Sequence, residues 1–305
     1  MELIWGIISD TMTKVWMFMY KGEYMSIKII TDSASDILQN QYDCVEVIPM
    51  SIAFGNQEYK DGVELSRQEF FEKMIESEEL PKTSQVTPVQ FEEYFRKIKT
   101  TGDEAVVITM SADLSGTYQS ACIAADEFED CITVVDSRTV CIGEHILIKK
   151  AMELISDNKT RQEIAIELEA IKDKIHVIAL LDTLEYLRRG GRVSNVAGYI
   201  GEALSIKPVI AIADGGVKVL GKARGSKNGN NLLNTQVASC GGIDYESPIA
   251  VAYSGLSDAV LEKYLEDNKE LWENRTAEPL IKGQIGGTIG THAGPGAIAV
   301  AFYSE

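Results

Sequence analysis

The sequence predicts an α/β protein with two domains, the first built on a parallel sheet and the second on a mixed sheet. The apolar runs AVVITM and ITVVD, at residues 105–110 and 132–136, flank a helical segment that starts near Ser115. Such alternation of strand, helix and strand favours a parallel sheet covered by helices. A polar break, SDNK at residues 156–159, then precedes a second set of apolar runs, and 305 residues that are 45% hydrophobic can bury two cores.

The predicted N-terminal domain spans residues 25–159 and begins with the strand IKIIT at residues 27–31. Ser66 and Thr87 each open a capping box, with Glu or Gln three residues later, and apolar residues at helical spacing follow both. We therefore expect two amphipathic helices between the first strand and the strand AVVITM.

The predicted C-terminal domain spans residues 160–305 and begins with another capped helix, at Thr160. Apolar runs predict its strands, at residues 176–181, 207–213, 217–221, 249–253 and 297–302. The segment Asp214-Gly215-Gly216 joins two of these runs and is typical of a tight hairpin turn.

Residues 1–24 are rich in methionine and aromatic residues, but they lack the basic start, the long apolar core and the cleavage site of a signal peptide. Codons for Lys21-Gly22-Glu23 can form a purine-rich ribosome-binding site at a suitable distance from Met25. We interpret residues 1–24 as a non-native leader, with translation starting at Met25. The alternative is an apolar segment that lies on a membrane surface.

The charge of the chain argues against two classes of partner. A formal net charge of −17 and a pI near 4.7 repel the phosphates of nucleic acids and of anionic membranes. Five scattered cysteines and only three histidines are typical of reduced thiols and give little support to a zinc site. We therefore expect a cytoplasmic protein without a metal, a nucleic-acid partner or a stable membrane anchor.

Common enzyme signatures are absent from the sequence. The segment GVKVLGKA, residues 216–223, nearly matches a phosphate-binding loop, yet it ends in Ala223 where the pattern needs Ser or Thr, and it has the pattern of a strand. We interpret it as a coincidence. The patterns G-x-G-x-x-G, G-x-S-x-G and H-E-x-x-H do not occur, so the usual signatures of dinucleotide-binding proteins, α/β-hydrolases and zinc proteases are missing.

Three hydroxyl-rich loops remain as candidate functional segments: KTSQ at residues 82–85, SADLSGT at residues 111–117, and the glycine-rich segment with Thr291 and His292. Ser115 leads into a helix, where its hydroxyl and free backbone N–H groups suit a carboxylate or phosphate; a plain N-cap is the alternative. His292 could complete an anion pocket through a charge-assisted hydrogen bond, or it could be a core imidazole at a tight turn.

Six motifs, in order along the chain, resemble those of the DegV family: ITDSASD, KTSQVTP, SADLSGTYQSA, VVDSRTV, LEYLRRGGRV and GTHAGPGA. The resemblance implies a two-domain DegV-like fold with a long-chain fatty acid, such as palmitate, stearate or oleate, in a buried tunnel between the domains. It also implies a bacterial protein that performs no catalysis itself. Such a protein presents the bound acid to a separate ATP-dependent fatty acid kinase, which makes an acyl phosphate for phospholipid synthesis.

The resemblance places one group of residues at the fatty-acid carboxylate: Thr83, Ser84, Ser115, Gly116, Thr117 and His292. A second group is a candidate surface toward the kinase or the phosphoryl group: Arg188, Arg189, Arg192, Arg224 and Asp61. For the arginines, solvated or salt-bridged side chains are the alternative.

Two other functions stay open at this point. Ser115 as nucleophile and His292 as base would make an acyl-directed hydrolase, with Asp32 as the orienting acid. A regulatory module whose lipid only signals occupancy is the second alternative. Lipid binding is favoured because each buried methylene contributes about 0.8 kcal/mol, while two hydroxyls, a helix N-terminus and His292 offset the burial of the carboxylate.

Overall fold

The computed structural model describes residues 26–193, 206–272 and 279–305, so the predicted leader, residues 1–24, lies outside the described residues. The strands, in chain order, are β1 (Ile27–Asp32), β2 (Val45–Ile48), β3 (Ser51–Phe54), β4 (Gln57–Lys60), β5 (Lys82–Ser84), β6 (Glu104–Thr109), β7 (Ile132–Asp136), β8 (Ile175–Leu180), β9 (Ile206–Ala213), β10 (Gly216–Arg224), β11 (Ala250–Tyr253), β12 (Ile281–Gln284) and β13 (Ile298–Tyr303). The helices are α1 (Arg67–Glu76), α2 (Pro88–Thr101), α3 (Thr117–Ala125), α4 (Ile142–Ser156), α5 (Arg161–Ile171), α6 (Glu185–Arg189), α7 (Ser226–Ala238), α8 (Ala259–Asp267), α9 (Lys269–Trp272) and α10 (Gly287–Ala293).

The first sheet is parallel throughout, with the strand order β2-β1-β6-β7. The last four residues of β1 are all buried, a pattern typical of a strand covered on both faces. The capping boxes predicted at Ser66 and Thr87 are present at the starts of α1 and α2. The parallel sheet of the N-terminal half and its two amphipathic helices are therefore confirmed.

The second sheet is mixed, with the order β10-β9-β8-β13-β11-β12, and only β11 and β12 pair in parallel. The predicted hairpin turn joins β9 to β10, with positive φ angles of 51° at Asp214 and 81° at Gly215. The segment GVKVLGKA lies within β10, where its N–H groups pair with β9 and do not form a phosphate loop.

A small third sheet, β4-β3-β5, contains a segment that we expected to be a loop. Residues Lys82–Ser84 form β5, and Thr83 pairs with Ile52 of β3. The glycine-rich loop expected around His292 is also wrong, because this histidine lies in helix α10. Both predictions were wrong because strand β5 and helix α10 depend on contacts with residues that are distant in the sequence.

The division into domains at residue 160 stays a prediction. Helix α5 packs on β6 and β7 of the first sheet, and buried Arg161 donates hydrogen bonds to Glu104 and Thr133. Helix α4 contacts strands of both sheets, so that one apolar core joins them, while a second core lies on the far face of the mixed sheet. This packing favours a boundary after Ile171.

Candidate functional site

A cavity of about 380 Å³ is lined by residues of both halves of the chain. Its volume falls within the roughly 300–1,000 Å³ that is usual for small-molecule sites. Most lining side chains are apolar, and the inner ones are buried: Met110, Val140, Val177, Ala179, Ile210 and Ala299. Ser84, Gln85 and Arg192 also line the cavity but are exposed, so they mark its mouth. The cavity therefore has an apolar interior and a polar entrance.

Thr83 and His292 meet in the wall of this cavity, with 3.1 Å between Thr83 Oγ1 and His292 Nε2. Strand β5 carries Thr83 and helix α10 carries His292, so the pair joins the two halves of the chain. Among the described residues, the buried Nδ1 of His292 has no hydrogen-bond partner.

The imidazole of His292 is neutral at pH 7. Burial and, to a smaller extent, the positive charge of Arg192 lower the pKa of His292 to about 4. The sequence does not show how deeply the ring is buried and so does not indicate this neutral state, and the charge-assisted hydrogen bond expected of His292 stays a prediction. A neutral ring still has one N–H to donate and one nitrogen to accept.

Ser115 lies at the cavity wall in the loop between β6 and α3. Its Oγ is 2.9 Å from Thr117 Oγ1 and accepts a 3.3 Å hydrogen bond from the Thr117 N–H. The N-cap position itself is held by Gly116, which also lines the cavity, whereas Thr117 is buried behind the lining residues. Ser115 thus orders the start of α3 and borders the cavity at the same time.

Arg192 connects the two halves at the mouth of the cavity. Its Nε donates to the carbonyl of Leu114 at 3.3 Å, and a terminal nitrogen donates to the carbonyl of Gly190 at 2.6 Å. Leu114 belongs to the loop before α3, and Gly190 follows α6. A positive charge is therefore held beside the polar lining residues.

The other predicted arginines are exposed. Arg188 and Arg189 both pair with Glu185 on α6, at 2.7 and 2.5 Å, and these two contacts lower the pKa of Glu185 to about 2. Arg224 ends β10, where its carbonyl accepts a hydrogen bond from Asn228. The salt-bridged alternative thus applies to Arg188 and Arg189, although both side chains stay accessible.

Asp61 is buried at the start of helix α10. Only 4% of its surface is exposed, and its carboxylate accepts hydrogen bonds from the N–H groups of Gly287 and Thr288, at 3.1 and 3.0 Å. The Thr288 hydroxyl also donates to it, at 2.6 Å. This burial contradicts the expectation of a kinase-facing Asp61, because its carboxylate is used to cap helix α10.

The contacts do not assemble a hydrolase triad. Asp32 is fully buried, and its carboxylate accepts hydrogen bonds from the N–H groups of Ala34 and Met110, both at 2.9 Å. Burial raises the pKa of Asp32 to about 6. Since His292 contacts Thr83, and the Ser115 hydroxyl contacts Thr117, neither the base nor the orienting acid is in place for attack by Ser115.

Two residues at the site, Gly190 and Cys141, were not predicted from the sequence. A Cβ on Gly190 would lie 2.2 Å from His292 Nδ1, so glycine is required where the end of α6 approaches α10. The paired glycines of LRRGGR are the signal that could have indicated this approach. Cys141 lines the cavity and donates its thiol to the Asp36 carboxylate, at 2.7 Å, and no local pattern announces that contact.

Two further classes of site find no support in the ranges described. No group of three or more His, Cys, Asp or Glu residues there could hold a metal ion. Within the same ranges, every helix is too short or too polar to cross a bilayer.

The comparisons with known proteins agree on one family. A family model described as "Uncharacterised protein, DegV family" matches residues 26–305. A DegV domain-containing protein from Caldanaerobacter subterraneus is 34% identical over 280 residues, which cover 90% of this chain and 98% of that protein.

Solved structures share the fold. The structure reported as fatty acid binding of a DegV family protein from Thermus thermophilus has a TM-score of 0.81 and 28% identity, covering 92% of this chain and 100% of that chain. The Streptococcus pneumoniae Fatty Acid Kinase (Fak) B3 protein, loaded with linoleic acid, has a TM-score of 0.81, 22% identity and the same two coverages, 92% and 100%. At that identity the second likeness shows the fold alone. The resemblance carried by the six motifs is thus confirmed, and the chain belongs to the DegV family.

Proposed function

We propose that this protein binds a long-chain fatty acid in the cavity, with the acyl chain inside and the carboxylate at Thr83, Ser115 and His292. The observation that carries the proposal is the polarity of the cavity, whose buried apolar interior ends at an exposed polar mouth. A fatty acid has the same division between an apolar chain and a charged head. The fatty-acid binding reported for the Thermus thermophilus relative supports the same ligand class.

Burial of the acyl chain provides the affinity. Each methylene removed from water contributes about 0.8 kcal/mol, so about fifteen of them give an upper value on the order of 12 kcal/mol. Ordering of the chain and loss of free translation reduce this sum. The remainder is enough for tight binding of a palmitate-like or oleate-like acid.

The head group needs compensation because an unpaired carboxylate is costly to bury. The hydroxyls of Thr83 and Ser115 can each donate a hydrogen bond, and the single N–H of the neutral His292 imidazole can donate either to Thr83 or to the carboxylate. Arg192 adds a positive charge at the mouth. Together these groups suit one carboxylate that lies near solvent.

We further propose that the carboxylate is presented to a separate ATP-dependent kinase in the cytoplasm, which makes an acyl phosphate for phospholipid synthesis. The position of the mouth supports this role, since a carboxylate beside exposed Arg192 is within reach of a second protein. Helix α6 ends at the same mouth and exposes Arg188 and Arg189. These arginines would contact the kinase or stabilise the charge of the incoming phosphoryl group.

Native mass spectrometry of the purified protein, before and after solvent extraction, tests the binding proposal. We expect the extract to contain a long-chain fatty acid and the emptied protein to take up oleate. Thr83→Val, which keeps the shape but removes the hydroxyl, should weaken oleate binding about ten-fold. Thr100→Val removes an exposed hydroxyl on α2 and is the matched control. Protein without lipid that takes up neither oleate nor palmitate would refute the proposal.

The kinase role is tested by ATP-dependent acyl phosphate formation with the fatty acid kinase of the source organism. Arg189→Ala should lower the rate of phosphorylation and leave oleate affinity unchanged. Arg96→Ala is the matched control, because Arg96 is 60% exposed and pairs with a glutamate four residues away, as 56% exposed Arg189 does. An equal loss of oleate binding in Arg189→Ala, or an unchanged rate, would contradict the assignment.

A further inference from the structure

Helix α10, which carries His292, receives its N-terminal caps from the other half of the chain. Its N-cap residue, Gly286, has no side chain that could accept a hydrogen bond. Instead, Asp36 accepts from the Gly286 N–H at 2.7 Å, and Asp61 accepts from the two N–H groups that follow. The helix is thus fixed to the N-terminal half by two buried carboxylates.

Asp36 links the start of α10 to two other residues of the N-terminal half, Cys141 and Arg67. One of its oxygens binds Gly286, and the other accepts the thiol hydrogen of Cys141 at 2.7 Å. Its carbonyl accepts a 2.7 Å hydrogen bond from Arg67, whose other terminal nitrogen donates to the carbonyl of Gln284 at 2.5 Å. Asp36 and Arg67 therefore hold the chain on both sides of Ile285, just before α10 begins.

The same helix sits unusually close to its neighbours. A Cβ on Gly287 would lie 2.4 Å from Ile52, and one on Gly290 would lie 2.8 Å from the Phe70 ring. Helix α10 has only seven residues, so its anchored first turn determines where His292, on its second turn, points. Thr83, the partner of His292, belongs to the half of the chain that supplies the anchors.

We propose that Asp36, supported by Arg67, is a positioning residue for His292, and that it holds the imidazole against Thr83 by fixing the start of α10. Asp36 is not among the residues that line the cavity. The inference rests on the proposed function, because the carboxylate of the fatty acid is the group that a positioned His292 serves.

The first test needs no ligand. The chain has three histidines, so imidazole NMR resolves each titration, and His292→Gln assigns the signal. In the intact protein His292 should titrate near pH 4. In Asp36→Ala we expect the titration midpoint of His292 to rise by about one pH unit or more toward the ordinary 6.5, because the displaced imidazole becomes more exposed to water. His176, on β8, is the internal reference.

Two further variants separate positioning from general damage. Asp36→Asn keeps an oxygen for the Gly286 N–H and should restore the midpoint of His292. Arg67→Met removes the hydrogen bonds from Arg67 to the carbonyls of Asp36 and Gln284 at a half-buried site. It should raise the midpoint of His292, and it keeps the test available if Asp36→Ala fails to fold. An unchanged midpoint in every folded variant would overturn the inference.

Ligand binding gives a second readout. Asp36→Ala should weaken oleate binding about ten-fold, equivalent to about 1.4 kcal/mol, and oleyl alcohol binding less than about two-fold. Equal losses for the acid and the alcohol would indicate a structural role and overturn the inference. If the intact protein binds no oleate, the proposed function fails, and the titration of His292 alone decides whether Asp36 positions the ring.

Discussion

Replacing Ala299 by valine is expected to fill part of the cavity and to weaken fatty-acid binding. Ala299 on β13 pairs with Ala179 on β8, and both alanines line the cavity. The residues next to each alanine on its own strand, such as Leu180 and Val300, face the second core on the opposite side of the sheet. At this pair of positions the cavity face thus carries small side chains while the neighbouring residues on the other face are large, and this difference leaves room for an acyl chain.

The magnitude follows from the volume that valine takes. Its side chain has two more carbons than that of alanine, so it displaces about two methylenes of the ligand. At about 0.8 kcal/mol each, the loss is about 1.6 kcal/mol, or about 15-fold in affinity for oleate. Calorimetric titration of the delipidated protein with oleate measures this change.

Ala301→Val is the matched control for this substitution. Ala301 lies two residues further along β13 on the same face and is fully buried, but it does not line the cavity. Both variants add the same volume to one strand, but only Ala301→Val adds it away from the cavity, so Ala301→Val should lower the melting temperature more and oleate affinity less. Equal oleate affinity in Ala299→Val and Ala301→Val would refute the placement of the acyl chain along this sheet.

Other predictions concern the head group and the domain contact. Gly190→Ala should weaken oleate binding by pushing His292 aside, whereas Gly216→Ala, where a Cβ meets nothing within 4 Å, should not; equal effects in titrations would contradict this. Because burial lowers the pKa of His292 to about 4, the unfolded chain binds its proton first as pH falls from 6.5. His292 therefore contributes stability above pH 6.5 that is lost by pH 4, on the order of 3 kcal/mol. Between pH 6.5 and pH 4, the free energy of unfolding measured in urea should fall more in the intact protein than in His292→Gln. Equal falls in the two proteins would refute this prediction. Arg161→Met should lower the free energy of unfolding by about 3–5 kcal/mol in urea titrations, since it leaves buried acceptors unpaired; a loss below about 1 kcal/mol would show that α5 is not anchored there.

Local signals in the sequence were enough for much of the fold. The boxes at Ser66, Thr87 and Thr160 marked three helix starts because a cap and its N3 partner lie within one turn. The turn at Asp214 was equally clear, since its composition indicates positive φ. Each of these features depends on contacts between near neighbours in the chain.

The rest depended on partners that are far apart in sequence. Strand β5 exists because Thr83 pairs with β3, and α10 begins where it does because Asp36 and Asp61 accept its first N–H groups. No residue near Asp61 indicates that its carboxylate is buried under another helix. The family motifs predict that Thr83, Ser115 and His292 share one site, but the neutral state of His292 depends on burial, which only the folded chain has.

The neutral state of His292 bears on how a charged ligand can be held near solvent. An acid entering the mouth brings a negative charge, and that charge favours the protonated imidazole and so raises the pKa of His292 from about 4. Arg192 acts in the opposite direction, because its positive charge lowers that pKa while attracting the carboxylate. Arg192 also donates hydrogen bonds to the carbonyls of Leu114 and Gly190. It therefore joins the two halves of the chain at the mouth, where the carboxylate of the acid would lie. Loss of Arg192 should therefore loosen the mouth and raise the pKa of His292. Imidazole NMR of the Arg192→Met variant, recorded without the fatty acid, separates these two changes from the effect of losing the acid.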